Sequence, residues 1–315
     1  MGGVLKSFAE AAGLVPLHLA IGMFDGVHRG HQQVLAVPRR RAQRDGGQAA
    51  ALTFWPHPSV LFRPDEPTRL IQPPEIKYRR LLSEGLDAVV EVPFDEGFAG
   101  IEAADFARYL KAALPGLASL TVGENFRYGK GRRGTGAQLV ETGRAAGLEV
   151  DTVPRLMLDG SPVSSSRIRD LLHGGEVAQA NLLLGYDYFA EGRIVPGRRL
   201  GRTIGYPTLN LQWLPELKPR YGVYAVRIQP SEDSPPETWL TAVANYGVRP
   251  TVEHTVSPLL EVHALEQVPA LDAGDWMRVH WLGFLRGEQR FESIDALRTQ
   301  LDQDRQNAEA FFQSA

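Results

Sequence analysis

The first half of the chain alternates between short apolar runs and stretches with helical spacing. Leu17, Leu19, Ala20 and Ile21 open an apolar run that passes through Gly22, Asp25, Gly26 and Gly30 into helix-forming residues up to Leu35. That pattern predicts a strand, a glycine-punctuated turn and a helix, the helix fading near Asp45-Gly46-Gly47. Further strands are expected over Ala49 to Trp55, Asp87 to Phe94, from Ser119 to Val122, and over Leu148 to Val153. Helices are expected over Glu75 to Ser83, Ile101 to Leu114 and Gly136 to Ala146; the second carries Phe106, Leu110 and Leu114 on one side. Strands and helices taking turns in this way predict a mostly parallel, doubly wound sheet.

Beyond Tyr186 the period changes. After helical stretches from Val163 to Leu172 and Glu176 to Leu184 come strand-like runs at Tyr188–Val195, Tyr221–Ile228, Trp239–Asn245, Pro258–Glu266 and Arg278–Leu285, with no helix between them. Closely spaced runs with period-two alternation predict an antiparallel barrel or sandwich. Ser293 to Phe312 reads as a closing helix with Leu297, Leu301 and Ala308 on one side. The chain of 315 residues therefore divides into two domains, 1–186 and 187–315.

Composition narrows the chemistry. There is no cysteine, which excludes disulfides, thiolate nucleophiles and Cys-ligated metal centres. A formal net charge of −3 argues against binding nucleic acid through a bulk positive field. No stretch approaches the roughly 20 apolar residues of a membrane helix, and the amino terminus lacks a signal pattern. The expected setting is cytoplasmic, with no nucleic-acid or membrane partner and with an oligomer allowed.

The first strand–turn–helix holds the densest chemistry. His28 and His31 stand three apart where the helix begins, on one face. The opening N–H groups of a helix carry partial positive charge, and glycines let main chain approach a phosphate closely. Zinc is a weaker reading, because no third ligand is adjacent. His57 lies between Pro56 and Pro58 at a strand's carboxyl end, where ligands of open α/β sheets bind. Gly129 to Gly134 matches G-x-G-x-x-G, but its Lys130, Arg132 and Arg133 spacers suit a basic loop over phosphates better than a dinucleotide turn. Ser164, Ser165 and Ser166 open a helix beside Arg167 and Arg169, more than capping requires. In the β half, Gly201, Arg202, Thr203 and Gly205 form a glycine-rich flap leading to Thr208 and Asn210, whose oxygens suit phosphate-bound Mg²⁺. Glu261 alternates with Leu260 and Val262 and would be a general base if it faced a pocket; a solvated strand glutamate is the plainer alternative.

Taken in order, these blocks resemble the bacterial bifunctional riboflavin kinase/FAD synthetase (FMN adenylyltransferase) family. The likeness rests on Gly22 to His31 with its H-x-G-H, Pro56-His57-Pro58, Gly123 to Gly129, Ser164 to Arg169, Gly201 to Asn210, Asn245 to Thr251 and Leu260 to His263. Ser166 stands where the family has Thr, and Tyr206 where it has Phe. The implied architecture is a Rossmann-like α/β nucleotidylyltransferase domain with a parallel sheet, followed by an antiparallel β-barrel with a terminal helix. The implied activities are phosphorylation of riboflavin by ATP to FMN and adenylylation of FMN by a second ATP to FAD, with Mg²⁺ as cofactor. His28, His31 and Glu261 are then catalytic. Gly22, Phe24, Asp25, Gly26, Asn125, Arg127, Ser165, Ser166 and Arg169 would hold the first site's nucleotide, with His57 as a flavin or phosphate contact. Gly201, Arg202, Thr203 and Gly205 would hold the kinase ATP, and Thr208 and Asn210 its metal. The alternatives are a monofunctional adenylyltransferase with an inactive β module and a non-enzymatic flavin or nucleotide sensor.

Overall fold

The computed structural model describes residues 2–197, 205–248, 258–266 and 271–314. The chain forms two compact units, Met1–Ser165 and Ser166–Ala315.

The first unit runs β1 (Gly3–Leu5), α1 (Phe8–Ala11), β2 (Leu17–Ile21), α2 (Arg29–Asp45), β3 (Gln48–Phe54), α3 (Pro58–Phe62), α4 (Pro74–Ser83), β4 (Ala88–Val92), α5 (Glu96–Ala99), α6 (Phe106–Ala113), β5 (Leu117–Gly123), β6 (Arg127–Tyr128), β7 (Gly134–Thr135), α7 (Gly136–Ala145), β8 (Glu149–Val153), β9 (Met157–Leu158) and β10 (Ser161–Pro162). Six strands form one all-parallel sheet in the order β1-β4-β3-β2-β5-β8. All five residues of β2 are buried because helices cover both faces of the sheet. Strand alternation divides them: Leu17, Leu19 and Ile21 enter the core shared with α6 and α7, while Ala20 joins Val34, Leu35 and Leu81 of α2 and α4. Successive strands β2, β3 and β4 run one way from β2 and β5 lies on its other side. The strand order thus reverses beside β2, and the crevice at that point is where a doubly wound sheet binds ligands.

Boundaries differ from expectation at three places. α6 begins at Phe106 rather than Ile101, since residues 102–105 form a turn closed by the Asp105 N–H on Glu102 O at 3.0 Å, with Asp105 the N-cap residue. The sequence pattern gave no sign of β1 or α3, which are three and five residues long. The basic G-x-G-x-x-G stretch does not open a helix directly: β6 and β7 pair antiparallel around it, and Thr135 caps α7.

α8 (Ser165–Gly174) begins on the boundary between the units. The second unit continues with α9 (Val177–Leu184), β11 (Phe189–Val195), β12 (Leu209–Leu211), β13 (Gly222–Gln229), β14 (Leu240–Val248), β15 (Pro258–Ala264), β16 (Trp276–Gly287) and α10 (Ile294–Ser314). Its strands close into an antiparallel barrel, β11-β12-β15-β14-β13-β16. Six strands enclose only enough space for side chains. Trp281 fills it, fully buried, with Tyr224, Trp213 and Tyr246 rings 4.5, 5.5 and 5.6 Å away.

One buried histidine of the barrel carries a stability prediction. His280 stacks on Trp239 at 4.1 Å and bonds Gln229 Oε1 through Nε2 at 3.3 Å. Burial first, then the Arg278 and Arg227 charges, push its pKa down to about 3. An unfolded imidazole titrates near 6.5. Between those values the unfolded chain binds the extra proton, so the stabilisation is complete above pH 6.5 and drains as pH falls toward 3. Each pH unit costs about 1.4 kcal/mol from this group. His280→Phe keeps a flat ring against Trp239 and removes the titration. The stability difference between wild type and variant, read from denaturant unfolding, should therefore shrink by about 2–3 kcal/mol between pH 6.5 and 4.5. A difference that stays constant with pH would show that His280 is not the acid-sensitive group.

Candidate active sites

In the first unit, the β2–α2 turn sits at the carboxyl end of the central strand. Gly22 donates its N–H to Leu52 O at 3.1 Å, and a Cβ there would meet the Phe24 ring at 3.1 Å. The turn is held in unusual backbone: Phe24 has φ 51°, Gly26 79° and the β-branched Val27 36°. Left-handed φ at Phe and Val is strained and persists only where surroundings impose it. Phe24 and Val27 are fully buried. The buried Asp25 carboxylate accepts Ile71 N–H at 3.0 and 3.3 Å, and the Asp25 carbonyl accepts the Ser165 hydroxyl at 2.9 Å.

His28 is the N-cap of α2, its Nδ1 accepting the His31 N–H at 3.2 Å. The two imidazoles stack, 3.6 Å between centroids and 13° between planes, and Phe24 packs edge-on against His31 at 5.4 Å. A Cβ on Gly30 would meet the His28 ring at 3.2 Å, so glycine keeps that ring in place. No acidic side chain sits in the first turn to compete for an anion. His31 is held well below the ordinary imidazole range, first by burial and then by the His28 and Lys77 charges. It is neutral at pH 7, with Nδ1 sealed from solvent and lacking a partner among the described residues.

His57 caps α3 at the end of neighbouring β3, its Nδ1 accepting Ser59 N–H at 3.0 Å. Around this strand end Phe54, Phe62, Phe94 and Phe98 meet edge-to-face or tilted at 5.0–5.9 Å. Phe62 and Trp55 remain exposed. Asn125 and Arg127 are exposed in the turn after β5 and on β6. Ser166 and Arg169 lie on α8, exposed and half-buried. Sequence reasoning missed Lys77: it lies in a helix rich in charged residues, yet it is buried and donates to Thr53 Oγ1 at 3.1 Å.

In the second unit the barrel interior is full, and a cavity of about 510 Å³ lies between the barrel wall and α10. Alternate strand positions decide what faces it. Leu211, Leu260, Val262, Ala244 and Tyr246 are fully buried in the barrel. The intervening positions Val195, Asn210, Glu261, Asn245, Val223 and Arg286 are successive partners across all six strands, and every one lines the cavity. Glu261 therefore stands between Asn210 and Asn245, facing a pocket rather than open solvent. Asn245 went unassigned in the sequence reading, although its parity in Leu240–Val248 matches that of Glu261. Thr208 lines the same cavity. Gly205 has φ 90° and is exposed; Gly201, Arg202 and Thr203 lie outside the described residues.

α10 forms the far wall with Leu297, Leu301, Asp304 and Arg305. Arg286 clamps it through two bonds to buried Asp304, at 2.7 and 2.6 Å. Tyr206 adds a hydroxyl bond to Asp302, a tie that phenylalanine could not make.

The donor set at this cavity is a hydroxyl, an amide and a carboxylate, all hard oxygens. Asn210 is nearly sealed, and Gly197 backbone lies so close that a Cβ there would overlap its amide. Among the described residues no group of three or more His, Cys, Asp or Glu forms a metal cage.

Among the described residues no helix is long and apolar enough to cross a membrane. The FAD synthetase family model matches residues 14–167 and the riboflavin kinase model residues 184–312. The bifunctional riboflavin kinase/FMN adenylyltransferase of Escherichia coli (strain K12) is 37% identical over 296 residues, 93% of this chain and 92% of that one. Its counterpart in Bacillus subtilis (strain 168) is 33% identical over 300 residues, with the same coverage. A crystal structure from Streptococcus pneumoniae described as a macrolide-efflux protein is 27% identical with TM-score 0.86, covering 98% of this chain and 99% of that one. Two catalytic folds in the order of both family models, and relatives this similar over nearly their full length, make this chain a member of the bifunctional riboflavin kinase/FMN adenylyltransferase family.

Proposed function

We propose that the chain converts riboflavin to FMN and FMN to FAD at two separate sites, one in each unit. Functionally the division falls at 186/187, a reading supported by family matches that end at 167 and resume at 184.

In the barrel unit, riboflavin and ATP occupy the cavity beside α10. Its volume is in the range of small-molecule sites. Glu261 accepts the proton of the ribityl 5′-hydroxyl as that oxygen attacks the γ-phosphorus of ATP; the phosphoryl group moves to the oxygen and ADP leaves. Asn210 and Asn245 flank Glu261 and orient the reacting oxygen. Thr208 and Asn210 would hold Mg²⁺, which when bound neutralises phosphate charge.

In the first unit, an FMN phosphate oxygen attacks the α-phosphorus of ATP and pyrophosphate leaves, with no covalent enzyme intermediate. The helix N-terminus and the two imidazoles stabilise the charge that develops. Gly22 and Gly26 give the phosphates close main-chain approach. Phe24, Asp25 and Ser165 fix the turn rather than touch the nucleotide. The phenylalanines around His57 offer a flat apolar wall of the kind a flavin ring requires. Asn125 and Arg127 hold the adenosine and phosphates from the β5 side, and the roles of Ser166 and Arg169 rest on the resemblance alone.

The observation that carries this reading is the coexistence of a stacked histidine pair at a helix start and a carboxylate set between two amides on a cavity wall. Purified protein incubated with riboflavin, ATP and Mg²⁺ should yield FMN first and then FAD, separated by chromatography. FAD from supplied FMN with no FMN from riboflavin would reduce the chain to an adenylyltransferase. Tight flavin binding with neither product would make it a sensor.

A further inference from the structure

A buried cation lies beneath the histidine turn, and the transfer chemistry described above makes no use of it. Lys77 of α4 is 4% exposed. Its Nζ donates to Thr53 Oγ1 at 3.1 Å, and the Thr53 hydroxyl donates in turn to the Met23 carbonyl at 3.2 Å. Met23 is the residue between Gly22, where β2 has ended, and Phe24, where the left-handed backbone begins. The relay thus ends on the peptide that starts the strained turn. A strained segment of this kind needs such an anchor, and burying an ammonium to supply it is costly.

We propose that Lys77 is a positioning residue for adenylyl transfer: its ammonium, sealed beneath the His28–His31 turn, holds the Met23 carbonyl through the Thr53 hydroxyl and so fixes the backbone that presents both imidazoles. The proposal rests on the reading of this turn as the adenylyl-transfer site. Charged groups meet Lys77 from every side. Asp25 in the turn and Glu91 on β4 favour its charged form, while Lys6 opposes it; Lys6 itself pairs with Glu91 at 2.9 Å. Burial outweighs these and pushes Lys77 down to about 8, which leaves it protonated at pH 7. From that position its charge, together with His28, disfavours protonation of His31. Lys77 therefore does two things: it fixes where the imidazoles sit and it keeps one of them neutral before ATP arrives.

Two variants of the full chain separate these effects. Lys77→Met removes both relay and charge; Thr53→Val removes only the relay. FAD formation from FMN and ATP should fall about tenfold to a hundredfold in each, the scale of a sub-ångström to ångström misplacement. FMN formation from riboflavin should stay at the wild-type rate, which reports that the barrel unit is intact, and a wild-type thermal unfolding transition of the first unit reports that this unit is folded. The His31 ring signal, assigned by its loss in His31→Ala, should titrate at higher pH in Lys77→Met and at its wild-type position in Thr53→Val, as read by NMR. Wild-type FAD formation in both variants, with an unmoved His31 titration, overturns the proposal. If Lys77→Met loses both activities, Thr53→Val decides: reduced FAD formation alone supports the relay, and wild-type FAD formation refutes it. If His31→Ala itself makes FAD normally, the assignment of the turn falls, which is a different failure from that of Lys77.

Discussion

Replacing Glu261 with glutamine is expected to lower FMN formation from riboflavin by about 10²–10⁴-fold, the usual contribution of a positioned general base. FAD formation from supplied FMN should continue at the wild-type rate. The substitution keeps the side chain's size and its place between Asn210 and Asn245, so the wall of the cavity is preserved. What it removes is the ability to accept the hydroxyl proton. A glutamate that merely decorated a strand would tolerate the change, since exposed substitutions of this kind are usually within about 0.5 kcal/mol. The two possibilities differ sharply in outcome. FMN formation near the wild-type rate in Glu261→Gln would remove Glu261 as the base, and equal loss of both activities would point to a damaged fold.

The same residue shows what the sequence could reveal. Period-two alternation told that Glu261 points opposite to Leu260 and Val262, but alternation alone does not say whether that side meets water or a pocket. The pocket exists because α10 lies over the barrel, pinned by Arg286 to Asp304, a pairing 18 residues apart that no local pattern announces. β12 was missed for a related reason. Leu209–Leu211 is only three residues long, and its strand character comes from pairing with β11 and β15 rather than from its own propensity. By contrast β2 was legible from four apolar residues in five, Leu17, Leu19, Ala20 and Ile21, because a strand buried on both faces needs no polar alternation.

Burial of charged residues was the least visible feature. The run Glu75 to Ser83, expected as a helix, contains Glu75, Lys77, Arg79 and Arg80, and nothing in its pattern singles out Lys77 from the other charged residues. Only the folded chain reveals that Lys77 is buried with Ile76, Tyr78 and Leu81, while Glu75 and Arg79 are exposed. The histidines show the opposite case. Their i, i+3 spacing gave proximity at once, yet it did not distinguish a cap from a ligand, and His28 is a cap. Capping uses His28 Nδ1 on the His31 N–H, so the first histidine organises the helix start at which the second is presented.

The two sites solve one problem with different materials. Both must stabilise negative charge on phosphates during in-line transfer. On the proposed assignment, the first unit would use fixed dipoles, a helix start and imidazoles beneath which a buried ammonium sits. The barrel unit sets two amides and a carboxylate side by side on the cavity wall, hard oxygens of the kind that suit phosphates arriving with a divalent cation. Substitutions at either site should leave the other reaction intact.

His31→Ala provides the second decisive case. FAD formation from FMN and ATP should drop by about 10²–10³-fold, the effect of losing one donor to developing charge, while FMN formation from riboflavin is unchanged. His31 is the better probe of the pair. Removing His28 would also remove the α2 cap, worth about 1 kcal/mol in stability, and would confound loss of chemistry with loss of structure. His31 is not the cap, and only its backbone N–H takes part in capping, which alanine retains. The stacked His28 ring loses its partner at 3.6 Å but keeps its own bond to that N–H. The loss should therefore appear in kcat for adenylylation, with thermal unfolding of the first unit little altered. FAD formation at the wild-type rate would show that the turn binds without contributing to transfer, and simultaneous loss of both activities in folded protein would mean that the two reactions share one site.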